Sequence, residues 1–278
     1  MKSFRRPPWL VIFSKTLKRG RISLLAFTGG MFLFEFITVI TYPSIGGTGT
    51  VRNIFETLGP DMQRLLKLVP NLQVGFGPRN YLAFGYFHPV FLGLGSAFAV
   101  SRASDAIAGE IERGTILFLL SRPVARAALL WGKAVELALS LLVVVGGAVA
   151  GTGLGLTIIN LGEPISLWPF VVIGLNAYGL LLALAGVGLI ISALNSSAAS
   201  VAGWSTAFAL LTFVADFLAV LPFVAILAFA SPFRYYDPQA IVASNGALPW
   251  PSLTLLLAVA LGTFCFALVL FQRRDITA

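Results

Sequence analysis

The sequence predicts an all-α polytopic membrane protein, a single membrane domain over residues 1–278. Of the 278 residues, 58% are hydrophobic and 11% are charged, whereas a soluble domain carries roughly a quarter charged residues. Several apolar runs reach the ~20 residues that a helix needs to cross a hydrocarbon core of about 30 Å. The net charge of +8 comes from basic residues between these runs, where they retain loops on the cytosolic side. We therefore expect membrane lipid as an environment and no nucleic-acid partner.

The chain begins with a basic, amphipathic stretch. Residues 1–21 contain seven bases and no acid. Pro7 and Pro8 can start a helix, and the apolar cluster at 9–13 with Leu17 gives it one apolar side. The pattern predicts an interfacial helix on the inner leaflet, with its bases toward lipid headgroups. The alternative is a disordered basic tail.

Six apolar segments are long enough to span a membrane. The fifth is longer than one crossing requires and contains Pro222, which favours one span followed by a bent or re-entrant piece. The predicted spans lie near residues 22–42, 81–101, 134–159, 167–194, 198–230 and 251–271. An even number of spans places both termini on the same side.

Positive charge decides which side that is. With both termini inside, the inner segments carry 14 of the 19 lysines and arginines, which satisfies the positive-inside rule. We expect both termini to be cytoplasmic and the protein to lie in the inner (plasma) membrane.

Two segments are expected on the outer face. In residues 43–80, apolar side chains recur at helical spacing from Phe55 to Val69, which predicts a short amphipathic helix that caps the bundle. Between the fifth and sixth spans, several prolines argue against a continuous helix. These prolines are Pro232, Pro238, Pro249 and Pro251.

Glu35 and Asp216 lie inside predicted spans without a basic residue nearby in sequence. A charge at the bilayer centre costs at least about 2.5–3.5 kcal/mol on insertion scales, so such groups usually face a cavity or a partner. One hypothesis is that both line a polar pathway for a cationic or amphiphilic cargo. The other is that each is protonated or hydrogen-bonded to a neighbouring helix and is purely structural.

Small residues mark how the third span packs. Gly147, Gly151 and Gly155 recur every four residues, and glycine lets two helix backbones approach closely in lipid. We expect this stripe to pack within the subunit, and the alternative is a dimer interface. In the second span, Pro89 after His88 predicts a bend. One histidine cannot build a metal site, so no metal is expected.

Enzyme motifs are absent from the sequence. It contains neither HExxH nor GxSxG, and its single histidine leaves little room for a nucleophile–base relay. Gly132-Lys133 lacks the upstream glycine and the following hydroxyl of a phosphate-binding loop. The chain is not expected to be an enzyme, so energy for uphill transport must come from a partner or an ion gradient. Lys133 and Glu136 are expected to reach the membrane interface.

The most charged interruption between apolar segments is residues 101–133, with five bases and three acids. Residues 103–113 predict a short helix that ends at Gly114, because glycine is favoured just after a helix C-terminus. The apolar turn at 116–120 is too short to span, and Pro123 forces another turn. We interpret the segment as a cytosolic surface, parallel to the membrane, on which a soluble partner docks.

This segment resembles the signature of the ABC type-2 transporter permease family, E-x-E-x-G-T-x3-LL-S-x-P-V-x-R followed by GK. The basic N-terminal helix, the six spans, the long first outer loop and the C-terminal Arg-Arg-Asp-Ile resemble the family as well. The matching residues are Glu110, Glu112, Gly114, Thr115, Leu119, Leu120, Ser121, Pro123, Val124, Arg126, Gly132 and Lys133.

The resemblance implies a membrane subunit that works with a second copy or a related permease and with two cytosolic ABC ATPase subunits, which bind ATP and Mg. It implies export of drugs, lipids, peptides or polysaccharides through a pathway between the permeases, lined mainly by the first, second and fifth spans. Segment 102–126 would contain the coupling helix, at residues 105–113. The coupling residues would be Asp105, Glu110, Glu112, Arg113, Gly114, Ser121, Arg122 and Pro123, with Glu110, Glu112 and Arg113 as the foremost contacts.

Two other function classes stay open. An ion-gradient-driven secondary transporter would use Glu35 and Asp216 as proton sites. A non-transporting membrane anchor would hold a soluble complex and show no cargo-dependent ATPase stimulation. The basic N-terminus does not discriminate among the three, because all of them would use it.

Overall fold

The computed structural model of the chain describes residues 7–44, 77–116, 125–219 and 221–275, with Asn53, Thr57 and Gly59. Most of the amphipathic helix predicted at 55–69, the first bases of the N-terminus, and Ser121, Arg122 and Pro123 lie outside these described residues. The helices are α1 Pro8–Arg19, α2 Arg21–Ser44, α3 Pro78–Phe87, α4 Pro89–Ala106, α5 Ala108–Glu112, α6 Arg126–Ile158, α7 Trp168–Leu194, α8 Ala198–Phe217, α9 Pro222–Ala228, α10 Pro238–Ala243 and α11 Trp250–Arg273, with a 3₁₀ turn at Pro232–Tyr235.

Six of these helical stretches are long and apolar enough to cross a membrane: α2, α3 with α4, α6, α7, α8 and α11. The predicted class, an all-α polytopic membrane protein with six membrane helices, is confirmed. The central helix is α7, because 67% of its apolar window is buried against α4, α11 and their neighbours. By contrast, α8 and α11 bury only 17% and present most of their surface outward.

Helix α1 lies where the interfacial helix is predicted. Pro8 occupies its first position, where a proline removes no hydrogen bond. Its buried Ile12 packs against Gly132 of α6, where an added Cβ would lie 2.7 Å from the carbonyl oxygen of Trp9. Residues 8–19 therefore form a packed helix, and the disordered-tail alternative does not apply to them.

The glycine stripe of α6 packs against α2 within the subunit. A Cβ on Gly147 would lie 2.8 Å from the carbonyl oxygen of Thr28, and one on Gly151 would overlap the carbonyl oxygen of Phe32. Gly155 faces a side chain of α2 in the same way. The prediction of packing within the subunit is confirmed, and the stripe is not available as a dimer interface.

The second span consists of two helices. α3 ends at Phe87 and α4 begins at Pro89, with His88 extended between them (ψ 141°). Pro89 has no N–H with which to continue the helical ladder. The Nδ1 of His88 accepts the N–H of Val90 at 3.2 Å, which satisfies a donor at the start of α4. The predicted bend is confirmed.

The segment predicted as the fifth span, 198–230, contains one membrane helix followed by a separate short helix. α8 stops at Phe217, and Pro222 begins the separate short helix α9. A proline disfavours helical backbone at the residue before it, and Leu221 is extended with ψ 124°. Asp216 therefore lies in the last turn of α8 and not in the middle of a span. The following prolines start short helices instead of one continuous helix, as predicted.

The segment between the second and third spans is divided differently from the prediction. α4 continues to Ala106, and α6 begins at Arg126 instead of near residue 134. The helix predicted at 103–113 is split at Ile107, so its first part belongs to α4 and the rest forms α5. Gly114 follows α5 with φ +67°, the left-handed conformation that favours glycine at a helix end.

Candidate functional site

The charged residues between the second and third spans gather around α5. The Ser192 hydroxyl of α7 accepts the N–H groups of Ile107 and Ala108 at 3.2 and 3.0 Å, which satisfies donors that a helix start leaves free. We call α5 and its partner residues the α5 junction. The partners are Arg19, Asp105, Arg113, Thr115, Lys133, Ser192 and Ala198.

Glu110 is the centre of the α5 junction. Its side chain is 8% exposed, and its carboxylate lies 2.6 Å from the Nζ of Lys133 on α6, which is 6% exposed. Arg113 approaches the same carboxylate to 3.4 Å and Arg19 of α1 to 3.5 Å. The hydroxyl of Thr115 donates a further hydrogen bond. One carboxylate thus joins α1, α5 and α6.

These surroundings keep Glu110 ionised. Burial by itself raises the pKa of the carboxyl, but the charge of Lys133, the hydrogen bonds from Lys133 and Thr115, and the charge of Arg113 outweigh it and hold the pKa below its ordinary value. A buried cluster of this kind is stable only while its partners remain, because loss of one leaves an uncompensated charge.

The other side of α5 faces solvent and carries Glu112, Arg113 and Gly114. Arg113 pairs with Asp105 of α4 at 2.5 Å, and both side chains are about one third exposed (32% and 33%). Gly109 lies beneath this pair, since a Cβ there would be 2.7 Å from the Asp105 carboxylate and 3.0 Å from Arg113. Glycine at 109 therefore leaves the room that the ion pair occupies.

Glu112 connects α5 to α8. Its carboxylate accepts the backbone N–H of Ala198, the first residue of α8, at 2.7 Å. Together with the contacts above, this bond brings the five predicted coupling residues that the structure describes to one place. The structure adds what the sequence does not predict, namely that Glu110 and Glu112 bind other helices of the same chain.

A second buried ion pair lies beside the α5 junction. Arg102 of α4 is 3.6 Å from Glu136 of α6, with side chains 9% and 2% exposed. Arg102 also donates to the carbonyl oxygen of Gly20, between α1 and α2, at 2.8 Å, and Ser140 donates to Glu136 at 2.8 Å. Lys133 and Glu136 are both buried and pair with charges from other helices, and their position relative to the membrane interface stays a prediction.

The end of the described chain is bound at the same end of the bundle. Arg126 donates to three carbonyl oxygens at the end of α11. Arg274 donates to the carbonyl oxygens of Ala193 and Asn195 at 2.9 and 2.7 Å and to the hydroxyl of Ser196 at 2.6 Å. Carbonyls at a helix end lack partners within the helix, so the two arginines fix α11 and the α7–α8 connection.

Glu35 lies elsewhere, fully buried in α2. It faces Gly85 of α3, where a Cβ would lie 3.0 Å from its Oε2. Neither of its carboxyl oxygens has a hydrogen-bonding partner among the residues that the structure describes, which leaves the cost of burying them unrelieved. Asp216 is half-buried at the end of α8.

An apolar crevice of about 230 Å³ separates α4 from α8, and we call it the α4–α8 crevice. Neither Glu35 nor Asp216 lines it. Its walls include Leu92, Ser96 and Val100 of α4 and Thr206, Leu210 and Phe213 of α8. The crevice offers an apolar group a place between two membrane helices.

Sequence reasoning missed Arg19, Arg102 and Ser192 as partners in this region. A base near a helix end is also what the positive-inside rule predicts, so its charge alone does not signal a buried ion pair. Ser192 is a lone hydroxyl in an apolar helix, and no sequence pattern marks it as an acceptor for α5.

Comparison with known families places residues 30–276 within a family model described as ABC-2 family transporter protein. The matched region contains α3 to α8, the α4–α8 crevice and all of the α5 junction except Arg19. Comparison with curated proteins finds no match.

Proposed function

As a member of the ABC-2 transporter family, this chain is a multi-pass transporter permease, and we propose that it works in an ATP-driven exporter. Two copies, or this chain and a related permease, would form the pathway between them. Two cytosolic ATPase subunits would bind ATP and Mg and supply the energy, since a permease of this family is a membrane subunit and not itself an ATPase.

The arrangement of the α5 junction is the main support for this proposal. A soluble ATPase can act on membrane helices only through a firmly held element at the membrane surface. The exposed side of α5 offers Arg113 and Gly114 to a partner. Glu110 on its buried side binds α1 and α6, and the exposed Glu112 binds α8. A displacement of α5 would therefore reach three other helices.

We assign different roles to the two sides of α5. Glu110 is surrounded by cations of its own chain, so it holds α5 in place and is shielded from a partner. Arg113, with its neighbours Asp105 and Gly114, supplies the contacts to the ATPase. We retain the coupling role that the family resemblance implies for Ser121, Arg122 and Pro123.

The pathway is proposed to follow the α4–α8 crevice, with the second permease completing it. Apolar walls suit the hydrophobic part of a cargo. Glu35 would contribute only if α2 and α3 separated, because its carboxyl faces Gly85 inside the subunit. Asp216 belongs to a helix that lines the crevice, so of the two acids it is the better candidate for a polar contact.

Both termini are proposed to face the cytoplasm, with the protein in the inner membrane. The bases of α1, the start of α6 and the end of α11 meet at the end of the bundle that carries the α5 junction. Such a concentration of bases is expected on the cytosolic side.

One observation favours a second function, an ion-gradient-driven carrier. The Glu35 carboxyl is fully buried, and acids inside membrane spans often serve as proton sites. In that case, cargo movement in vesicles would require a proton gradient and no ATPase, and Glu35→Gln would abolish it.

The test is purification of the tagged chain in mild detergent, followed by an assay of ATP hydrolysis on the purified material. We expect an active ATPase with the original chain and its loss with Arg113→Glu. Arg234→Glu is the control, because Arg234 is an exposed base that lies against Phe229, away from the α5 junction. An intact chain without an ATP-hydrolysing partner would contradict the exporter and favour the gradient-driven carrier.

A further inference from the structure

We infer that Glu112 is a positioning residue, which fastens the start of α8 to α5 so that α5 can move one wall of the α4–α8 crevice. The inference rests on the proposed function, because it requires an ATPase that moves α5. The Glu112 carboxylate accepts the N–H of Ala198 at 2.7 Å. The first N–H groups of a helix lack partners within it, and a negative charge there is stabilised by the helix dipole.

Helix α5 is anchored at one end and attached to α8 at the other. Its N-terminal end is held by Ser192, which accepts the N–H groups of Ile107 and Ala108. Ser192 belongs to α7, the most buried span. Glu112 is the last residue of α5. A push on the exposed side of α5 would therefore turn it about Ser192 and displace the start of α8.

Helix α8 is suited to follow such a displacement. Its apolar window is 17% buried, against 67% for α7, and its buried side chains are Val201, Ser205 and Ala209. Arg274 fixes the α7–α8 connection through the carbonyl oxygens of Ala193 and Asn195 and the hydroxyl of Ser196, so a displaced α8 would turn about this connection. Since α8 also carries Thr206 of the crevice wall, its movement would change the crevice.

The most specific variant for testing this bond is Ala198→Pro, which removes the N–H that Glu112 accepts and leaves the Glu112 side chain intact. Proline is favoured at the first helical position, and Ser197 already has the extended backbone (φ −112°, ψ 124°) that precedes a proline. Glu112→Ala removes the same bond from the other side. Ser197→Ala is the matched control, because it deletes the 3.4 Å cap bond from the N–H of Ser200 and keeps the bond to Glu112.

The readout is the maleimide reaction rate of a cysteine introduced as Thr206→Cys, with Cys265→Ala as background, in the permease–ATPase complex in lipid nanodiscs. The rate is compared without nucleotide and with ATP plus orthovanadate. We expect a nucleotide-dependent change with the original Ala198 and with Ser197→Ala, and its loss in Ala198→Pro and Glu112→Ala. Ala198→Pro and Ser197→Ala should keep a bound, ATP-hydrolysing partner. Combining Ala198→Pro with Glu112→Ala should cause no further loss of the nucleotide response, because both remove the same hydrogen bond.

A nucleotide response that survives Ala198→Pro but not Glu112→Ala overturns the inference and makes Glu112 a direct contact to the ATPase. An unresponsive Thr206→Cys with the original Ala198, in a complex that hydrolyses ATP, overturns it as well. Failure of the proposed function is distinguishable, because then no ATP-hydrolysing subunit is purified with the chain.

Discussion

The Nζ of Lys133 lies 2.6 Å from a carboxylate oxygen of Glu110, and the two side chains are only 6% and 8% exposed. This pair joins α5 to α6 where Arg19 of α1 also reaches Glu110. An exposed ion pair contributes little to stability. This pair is buried, so water cannot solvate one charge when its partner is removed. The pair therefore holds α1, α5 and α6 in one arrangement.

Removing one partner of this pair should destabilise the protein strongly. Glu110→Gln leaves the buried Lys133 without its carboxylate, and loss of one partner costs about 3–5 kcal/mol in comparable pairs. Lys133→Met should cost less, because Arg113 and Arg19 still lie within 3.5 Å of Glu110. Replacing both residues, with Glu110→Gln and Lys133→Met, should lower the free energy of unfolding less than Glu110→Gln alone. The measurement is the thermal unfolding midpoint of the three variants in detergent, compared as a double-mutant cycle.

Glu163→Gln is the matched control for this prediction. Glu163 lies 3.6 Å from Arg79, with side chains 43% and 40% exposed, and exposed pairs contribute about 0–1 kcal/mol. Equal losses of stability at the buried and the exposed pair would contradict the role assigned to burial.

Acid should weaken the α5 junction once the pH falls below the ordinary pKa of a glutamate. Burial opposes the shift, but Lys133, Thr115 and Arg113 together hold the pKa of Glu110 below its ordinary 4.5. A carboxyl with a lowered folded pKa contributes stability above its unfolded pKa and loses it as the pH falls through the folded value. The gap in unfolding midpoint between the original chain and Glu110→Gln should therefore persist from neutral pH to about 4.5 and close below it. A gap that is already closed at neutral pH would contradict this account.

The membrane class and several breaks could be predicted because their causes are local. Apolar length decides whether a segment can span, and Pro89 and Gly114 act through their own backbone. The break between α8 and α9 has a local cause as well. The apolar sequence continues past Phe217, but the helix does not. Pro222 begins a separate helix, because proline disfavours helical backbone in the residue before it.

The inward contacts of the α5 junction could not be predicted in this way. A carboxylate in a polar segment is normally solvated, so the pattern around Glu110 indicates a docking surface. Glu110 is buried because Lys133 and Arg19, distant in sequence, converge on it. Likewise, the bond from Ala198 to Glu112 depends on how α5 is placed against α8, which sequence periodicity does not encode.

Gly151→Ala should disturb the contact between α6 and α2. The added Cβ would overlap the carbonyl oxygen of Phe32, a backbone atom that cannot rotate away, and such overpacking costs about 1–3 kcal/mol. Gly146→Ala is the control on the same helix, because its Cβ would meet nothing within 4 Å. It should be neutral or slightly stabilising, since alanine favours helix over glycine. The unfolding midpoint in nanodiscs measures both, and equal effects would mean that the glycine stripe does not determine packing.

Variants that replace the Glu35 carboxyl should distinguish the two proposed functions, the ATP-driven exporter and the gradient-driven carrier. Neither carboxyl oxygen has a hydrogen-bonding partner within the described part of the chain, so Glu35→Met removes a polar group whose burial costs free energy. We expect the unfolding midpoint to rise. In an ATP-driven exporter, the nucleotide response of Thr206→Cys should persist in Glu35→Met and Glu35→Gln, because Glu35 faces Gly85 and not the crevice. Loss of that response with the ATPase still bound would show that Glu35 takes part in the transport cycle. Loss of proton-driven cargo uptake in the same variants would instead identify the protein as the gradient-driven carrier.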